Sequence, residues 1–254
     1  MGAPGDRRVQ TAGFASCTEV FISMKWLYGT FWGKLLRAPL KLVPKSAVIP
    51  ILAGPLRGIR WKVGAGFDAH WLGIYESEKA RAFQVSLRPG DTVWDIGANV
   101  GYYSLLASSA VGPGGRVFAF EPLPENLDYL GFHLKSNRAG TVTVVPKALG
   151  RAAGRAHFAR GRSRSQGRVA EAGEFEVELI GRDEEIAAGR LHAPDVIKMD
   201  IEGGELDAIP GMRGALERAR AVFIATHGPA ARALVESLGG FRGIEVDEYV
   251  RLTP

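Results

Sequence analysis

The stretch of sequence that most constrains the fold is residues 93–101, which read V-W-D-I-G-A-N-V-G. An apolar run ends at Asp95, a turn with two glycines follows, and a segment of helical character begins at Tyr102. A buried strand, a tight loop and a helix N-terminus in this order are typical of an open α/β sheet, whose ligands sit beyond the carboxyl ends of the strands. Glycine in such a turn lets the backbone approach a ligand closely because it carries no Cβ atom. The predicted ligand-binding loop consists of Gly97, Ala98, Asn99 and Gly101.

A second apolar run, R-V-F-A-F-E at residues 116–121, also ends in an acid, Glu121. An acid at the end of the second strand, about 20 residues beyond the glycine loop, is placed to accept hydrogen bonds from ribose hydroxyls. The loop and Glu121 together predict a ligand that contains adenosine.

Two adenosine-containing cofactors compete for this loop, a nicotinamide dinucleotide and S-adenosylmethionine. The dinucleotide fingerprint is G-x-G-x-x-G, whereas this loop has Asn99 in place of the middle glycine. A carboxylate at Asp95, two residues before the first glycine, would repel a pyrophosphate but suits the ammonium group of a methionine moiety. The pattern therefore favours S-adenosylmethionine. The spacing of Asp95 and Glu121 disfavours an ordinary βα turn that binds nothing.

Composition indicates a globular protein from a reducing compartment. The 254 residues are 46% hydrophobic, which is enough for a sizeable core. The single Cys17 excludes an internal disulfide framework and suits the cytoplasm, which we predict as the location. Arginines are densest in the Gly- and Ser-rich segment 151–168, which we interpret as a solvated loop rather than a site for an anionic substrate. No nucleic-acid-binding motif is present, so we expect no nucleic-acid partner.

The chain divides into three parts. Residues 1–16, rich in Gly, Ala and Arg, are predicted to be disordered. Residues 17–90 are predicted to form an N-terminal extension, with helices and a small hairpin, that covers the ligand site. Within it, residues 20–36 are rich in Trp but interrupted by lysines, and fall short of the roughly 18 to 20 apolar residues of a membrane helix. This segment either contacts a membrane surface peripherally or packs as a helix on the catalytic domain, and the second alternative is favoured.

Residues 91–254 form the third part, in which strands and helices alternate. This alternation predicts an α/β fold with a mostly parallel sheet and helices on both faces. Residues 241–252 should complete the sheet as an antiparallel edge, and residues 154–180 should hold a hairpin. The predicted strands are 92–96, 116–120, 141–146, 195–200 and 220–226, and the predicted helices are 101–110, 124–137, 229–238 and one that begins near residue 205.

A cluster of acids follows the fourth predicted strand, in I-K-M-D-I-E-G-G-E at residues 197–205. Asp200, Glu202 and Glu205 repel one another unless a cation or a proton sits between them. If strands four and five are neighbours, His227 at the end of strand five lies beside these acids. A divalent metal held by these four residues is a minority hypothesis, because their spacing matches no strong metal motif, and we predict no metal. Acids at a helix start are also stabilised by its dipole without any catalytic role.

Three blocks in order, D-I-G-A-N-V-G-Y-Y-S, F-E-P-L-P-E-N and I-K-M-D-I-E-G-G-E, resemble the FkbM family of S-adenosylmethionine-dependent methyltransferases. The likeness covers residues 70–230, and L-G-I-Y-E at 72–76 also resembles a block that precedes the glycine loop in this family. The resemblance implies a Rossmann-like class I methyltransferase with a seven-stranded sheet. It also implies methyl transfer to a hydroxyl oxygen of a small molecule, sugar, glycolipid or polyketide.

The resemblance also implies roles for individual residues. Glu121 would hold the ribose hydroxyls, and Asp200 would stand near the transferred methyl group with Glu202 and Glu205 beside it. Glu76, in a helix before the glycine loop, would either close over the cofactor or remain a solvated carboxylate. The remaining cofactor-binding residues would be Asp95, Gly97, Asn99 and Gly101 at the methionine and ribose portions, and Pro122, Lys147 and Ala148 on the adenine side.

Methyl transfer to a hydroxyl needs a base that accepts the hydroxyl proton. His227 is the first choice, because histidine ordinarily titrates near neutral pH. Asp200 is the second choice, Glu205 completes the predicted catalytic set, and a purely structural role for His227 stays open. Two other functions also stay open: a non-catalytic protein that binds S-adenosylmethionine, and an NAD-dependent oxidoreductase. The sequence leaves the oligomeric state open.

Overall fold

A computed structural model describes residues 40, 42–160, 167–170, 175–181, 185–186, 188–189, 191–201, 204–238, 242–246 and 249–253. The chain divides into two units, Met1–Pro44 and Lys45–Pro254. All strands and helices named in this section belong to the second unit. The predictions for residues 1–16 and 20–36, and those for Glu202, lie outside the described residues. Within the described part of the chain, no helix is long and apolar enough to cross a membrane.

The unit Lys45–Pro254 is built from thirteen strands and seven α-helices among its described residues. The strands are β1 Val48–Pro50, β2 Arg60–Lys62, β3 Thr92–Ile96, β4 Arg116–Phe120, β5 Val142–Val145, β6 Ala148–Leu149, β7 Gly154–Arg160, β8 Gly167–Ala170, β9 Phe175–Ile180, β10 Val196–Met199, β11 Ala221–Ala225, β12 Arg242–Val246 and β13 Tyr249–Thr253. The helices are α1 Asp68–Leu72, α2 Ser77–Ser86, α3 Tyr102–Val111, α4 Pro124–Ser136, α5 Glu205–Ala208, α6 Arg213–Arg218 and α7 Pro229–Glu236, with a 3₁₀ helix at Ile209–Met212.

The main sheet has seven strands in the order β12-β13-β11-β10-β3-β4-β5. Strands β11, β10, β3, β4 and β5 are parallel, and β13 runs antiparallel to both of its neighbours. This confirms the predicted parallel sheet and its antiparallel edge. In this sheet the chain runs from β3 outward through β4 to β5. The next strand along the chain, β10, lies on the opposite side of β3, so the strand order reverses between β3 and β10. A crevice at such a reversal is where open α/β sheets bind their ligands.

The two faces of the sheet are sorted by the alternation of side chains along each strand. Trp94 and Ile96 of β3 share one hydrophobic core with Ile197 and Met199 of β10 and with the segment from α5 to α6. Asp95 and Lys198 have the opposite parity and stand side by side in register on the other face. All residues of β3, β10 and β11 are buried, as expected for parallel strands covered on both faces.

Two smaller sheets flank the main one. Strands β6, β9, β7 and β8 form a sheet in the chain between β5 and β10. In it β7 pairs antiparallel with both β8 and β9, which confirms the hairpin expected in residues 154–180. Strands β1 and β2 pair antiparallel, as expected for the small hairpin. The division of the chain at residue 90 stays a prediction.

The segment that precedes β3 packs directly on α4. Trp61 of β2 stacks on the ring of His133, with 4.0 Å between ring centroids. The backbone N–H of Lys62 donates to His133 Nε2 at 3.0 Å, and the ring nitrogen Nδ1 bonds the Val100 carbonyl at 2.7 Å. Burial lowers the pKa of His133 to about 4, so the ring is neutral at pH 7. His133 thus ties the β1–β2 hairpin to the backbone of the glycine loop.

Candidate active site

A cleft opens at the carboxyl ends of β3, β4 and β10. It lies at the strand-order reversal, where the fold predicts a ligand. Most of the residues predicted to bind the cofactor line it. These are Gly97, Ala98, Asn99, Glu121, Pro122, Lys147, Ala148 and Asp200. Three others, Glu76, Asp95 and Gly101, do not line it.

The glycine loop follows β3 and packs against the end of β10. Gly97 has φ +78°, and a Cβ atom there would stand 1.9 Å from the backbone oxygen of Asp200. Only glycine therefore lets these two strand ends approach. The backbone N–H groups of Gly97 and Ala98 both donate to the Phe120 carbonyl, at 3.0 and 2.9 Å. Asn99 also has positive φ, +51°, a conformation that asparagine tolerates better than most residues.

Glu121 sits at the floor of the cleft with 4% of its surface exposed. Its Oε2 accepts the N–H of Asn99 at 2.8 Å, and its Oε1 accepts the N–H of Leu123 at 2.9 Å. Burial raises the pKa of Glu121 to about 7, although hydrogen bonds and the charge of Lys198 pull it down. The Asn126 side chain also bonds this carboxylate. A carboxylate has about four acceptor sites, so one remains that can accept a ribose hydroxyl.

The carboxylate of Asp95 lies behind the loop rather than in the cleft. Its side chain is fully buried, accepts the hydroxyl of Ser104 at 2.6 Å and stands 3.4 Å from Nζ of Lys198. The sequence suggested a direct contact with the cofactor's ammonium group. Because β3 directs Asp95 toward Ser104 of α3 and toward Lys198, this carboxylate does not line the cleft, and its direct contact with the cofactor stays a prediction.

Lys198 is a cleft residue that the sequence reasoning missed. Its side chain is 5% exposed, and its Nζ donates to the Gly97 carbonyl at 3.1 Å. Burial alone would lower the pKa of Lys198, but the carboxylates of Asp95, Asp200 and Glu76 outweigh it and raise this pKa. A lysine inside the apolar strand V-I-K-M was the available signal, since an ammonium group is buried only when it is paired.

The charge of Glu76 also acts on the ammonium group of Lys198. The hydroxyl of Tyr103 donates to Glu76 Oε2 at 2.8 Å, and Lys198 Nζ lies 4.9 Å from the centre of the Tyr103 ring. Burial, together with the nearby Glu76 charge, raises the pKa of Tyr103 well above its usual value. Glu76 has φ +41° at the start of α2, a strained conformation of the kind found at functional sites.

An aromatic cluster from the segment before β3, joined by Tyr102 of α3, forms one side of the cleft, and sequence reasoning missed it as well. Phe67, His70, Tyr75 and Tyr102 all line the cleft. The rings of His70 and Tyr75 stack at 3.8 Å. Burial lowers the pKa of His70 to about 4, so it contributes a neutral ring. The signal in the sequence was the density of aromatic residues around Gly66.

The predicted catalytic residues come together at the ends of β10 and β11, which confirms that these strands are neighbours. His227 Nδ1 lies 2.8 Å from Oε1 of Glu205, and His227 Nε2 lies 3.7 Å from Oδ1 of Asp200. The Glu205 side chain is fully buried, whereas Asp200 and His227 are partly exposed. Asp200 lines the cleft, whereas His227 and Glu205 are not among its lining residues.

The residues that the structure describes include no group of three or more His, Cys, Asp or Glu side chains arranged to hold a metal ion. Glu202, which the minority hypothesis included, is outside those residues.

The chemistry of the cleft fits S-adenosylmethionine. The buried carboxylate of Glu121 matches the ribose hydroxyls, and the glycine loop leaves room beside the backbone. The carboxylates of Asp95, Asp200 and Glu76 all act on the ammonium group of Lys198, and Lys79 pairs with Glu76 at 3.7 Å. Three carboxylates against two ammonium groups leave this end of the cleft acidic overall. An acidic site suits a sulfonium and an ammonium group but repels a pyrophosphate.

The strand order, the antiparallel β13 and the acid after β4 define a class I S-adenosylmethionine-dependent methyltransferase fold. A family model described as the methyltransferase FkbM domain matches residues 95–241, more than half of the chain. The chain therefore belongs to the FkbM methyltransferase family, as its sequence blocks predicted, and S-adenosylmethionine is its cofactor.

Individual relatives match parts of the chain. It is 31% identical to the hexuronic acid methyltransferase AglP of Haloferax volcanii over 155 residues. This match covers 60% of this chain and 62% of AglP. It is 55% identical over 40 residues to the 31-O-demethyl-FK506 methyltransferase FkbM of Streptomyces tacrolimicus, 16% of this chain and 15% of that protein. Among solved structures, it resembles precorrin-6y C5,15-methyltransferase of Geobacter metallireducens, with TM-score 0.44 and 19% identity over 69% of this chain and 86% of that one.

Proposed function

We propose that the protein transfers a methyl group from S-adenosylmethionine to a hydroxyl oxygen of a sugar, glycolipid, polyketide or similar small molecule. The observation that carries this proposal is the row Asp200, His227 and Glu205 at the edge of the cofactor cleft. The names of two relatives support the acceptor class, since one acts on hexuronic acid and the other on 31-O-demethyl-FK506.

His227 is the proposed general base. With its Nδ1–H donated to the Glu205 carboxylate, the neutral ring carries its lone pair on Nε2. That nitrogen is on the side of Asp200, the residue of this row that lines the cleft. Nε2 is therefore the atom that accepts the hydroxyl proton.

Glu205 and Asp200 support the proton transfer by charge. Glu205 holds the ring in one tautomer and stabilises the imidazolium that forms, as a buried carboxylate does for a catalytic histidine elsewhere. Asp200 lies 3.7 Å from Nε2, close enough to stabilise the same positive charge without bonding the nitrogen that takes the proton. S-adenosylmethionine supplies the activated methyl group. Orienting the acceptor hydroxyl is then the main task left to the protein.

The test is transfer of isotope-labelled methyl from S-adenosylmethionine to a panel of hexuronic acids, neutral sugars, glycolipids and macrolides. His227→Ala should lower kcat about 100-fold or more, the usual contribution of a general base. Affinity for S-adenosylhomocysteine should stay the same, because His227 does not line the cleft. His157→Ala, which removes an exposed histidine from β7, is the matched control and should change neither value.

Two outcomes would contradict the proposal. Unchanged turnover in His227→Ala would exclude this residue as the base. Tight cofactor binding with no methylation of any hydroxyl compound would favour a non-catalytic protein that binds S-adenosylmethionine.

A further inference from the structure

Lys198 occupies a costly position that support of the fold alone does not explain. Its side chain is 5% exposed, yet it lines the cofactor cleft. Burying an ammonium group destabilises a protein unless charges and hydrogen bonds compensate it. Neutralising the charge of Asp95 does not require Lys198 to line the cleft, so its position there indicates a second role.

The contacts of the ammonium group leave part of its bonding capacity for a ligand. It carries three N–H donors. Among the residues that the structure describes, two acceptors stand within reach: the Gly97 carbonyl at 3.1 Å and Asp95 Oδ1 at 3.4 Å. The Tyr103 ring, 4.9 Å away, covers the ammonium by a cation–π contact and takes no hydrogen bond from its nitrogen. One N–H donor therefore remains on a group that lines the cleft.

The position of Lys198 in the sheet determines which part of the cofactor its ammonium group can contact. Glu121 follows β4, on one side of β3, and marks the ribose. Lys198 lies on β10, on the other side of β3 and beneath the first glycine of the loop. A cofactor anchored at Glu121 and crossing this loop brings its methionine portion to Lys198. The anionic group of that portion is the α-carboxylate.

We propose that Lys198 binds the α-carboxylate of the methionine portion of the cofactor, while Asp95 and the Gly97 carbonyl hold the ammonium group in place. This role depends on the cofactor and not on the acceptor of the proposed function. It is tested without any acceptor, so its failure and that of the hydroxyl methylation are separate results.

The experiment compares two ligands that differ only in this carboxylate, S-adenosylmethionine and decarboxylated S-adenosylmethionine, by calorimetric titration. The wild-type protein should bind the decarboxylated ligand about 10- to 100-fold more weakly, the range for a hydrogen bond between charged groups. In Lys198→Met the two affinities should converge, because only the carboxylate-bearing ligand loses a partner. Lys147→Met is the matched control: Lys147 also lines the cleft but on the predicted adenine side, so the ratio of affinities should stay at the wild-type value.

Lys198→Met leaves the Asp95 carboxylate buried without its cation, so the folded state of this variant is checked by thermal unfolding. The double variant Asp95→Asn with Lys198→Met removes both charges and tests the same ratio in a neutral background. Equal weakening of both ligands in the folded variants would overturn the proposal and leave Lys198 a purely structural role. A wild-type protein that does not distinguish the two ligands would overturn it as well.

Discussion

The raised pKa of Glu121 predicts that the affinity of the cleft for adenosine depends on pH. Burial raises this pKa from 4.5 to about 7. Ribose hydroxyls donate hydrogen bonds, and an ionised carboxylate accepts them better than a protonated one. Binding should therefore strengthen as pH rises through 7.

The size of the effect follows from the fraction of Glu121 that is ionised. With a pKa of about 7, that fraction falls from about 97% at pH 8.5 to about 3% at pH 5.5. If only the ionised form binds, the apparent affinity falls by the same ratio, about 30-fold. The carboxyl group is almost wholly buried, so bulk solvent screens it little.

Methylthioadenosine is the ligand for this measurement, because it has the ribose and adenine of the cofactor but lacks its amino and carboxyl groups. Calorimetric titration at pH 5.5, 7.0 and 8.5 then reports the protein's own titration. Glu121→Gln should bind more weakly at high pH and show no slope. A wild-type affinity that is constant within threefold, or an equal slope in Glu121→Gln, would refute the reasoning.

The raised pKa of Glu121 gives the free energy of unfolding the opposite pH dependence to the ligand affinity, so the two effects can be told apart. Between pH 4.5 and about 7 the folded protein binds the Glu121 proton more tightly than the unfolded chain does. The contribution of Glu121 to the free energy of unfolding is therefore largest below pH 4.5 and falls as pH rises toward 7. Weaker binding at pH 5.5 is then not a consequence of unfolding driven by this group.

Two further predictions concern stability, measured by urea unfolding. Gly97→Ala should cost at least about 2 kcal/mol and abolish cofactor binding, because the new methyl group meets the Asp200 carbonyl at 1.9 Å at positive φ. Gly114→Ala, with open space around it, is the control, and an equal cost there would contradict the argument. Arg220→Met should cost about 1 to 3 kcal/mol by leaving the buried Asp91 carboxylate without the 2.7 Å contact it makes with Arg220. No measurable cost would show that solvent replaces the arginine.

Local pattern in the sequence was enough to predict the parallel strands of the main sheet and the glycine loop and acid that line the cleft. A glycine turn after an apolar run and an acid after the next one are short-range features, and they identified the loop and Glu121 without the fold. The sequence placed His227 beside Asp200 only on the condition that strands four and five are neighbours, and the pairing of β10 with β11 meets that condition.

Contacts between distant segments were not predictable in this way. The aromatic cluster around His70 reaches the cleft across more than twenty residues of chain, and its approach depends on how Trp61 stacks on His133. Nothing in the local sequence around any of these residues specifies that packing.

The sequence by itself determined the class of fold, the cofactor and the acids at the strand ends, because each depends on residue types at fixed spacing along the chain. Only the tertiary structure decided where the charges point. Side-chain parity on β3 directs Asp95 into the interior beside Ser104, and the register between β3 and β10 sets Lys198 beside it. Orientation and register arise from pairing between strands about one hundred residues apart, and such pairing is settled by packing of the whole core.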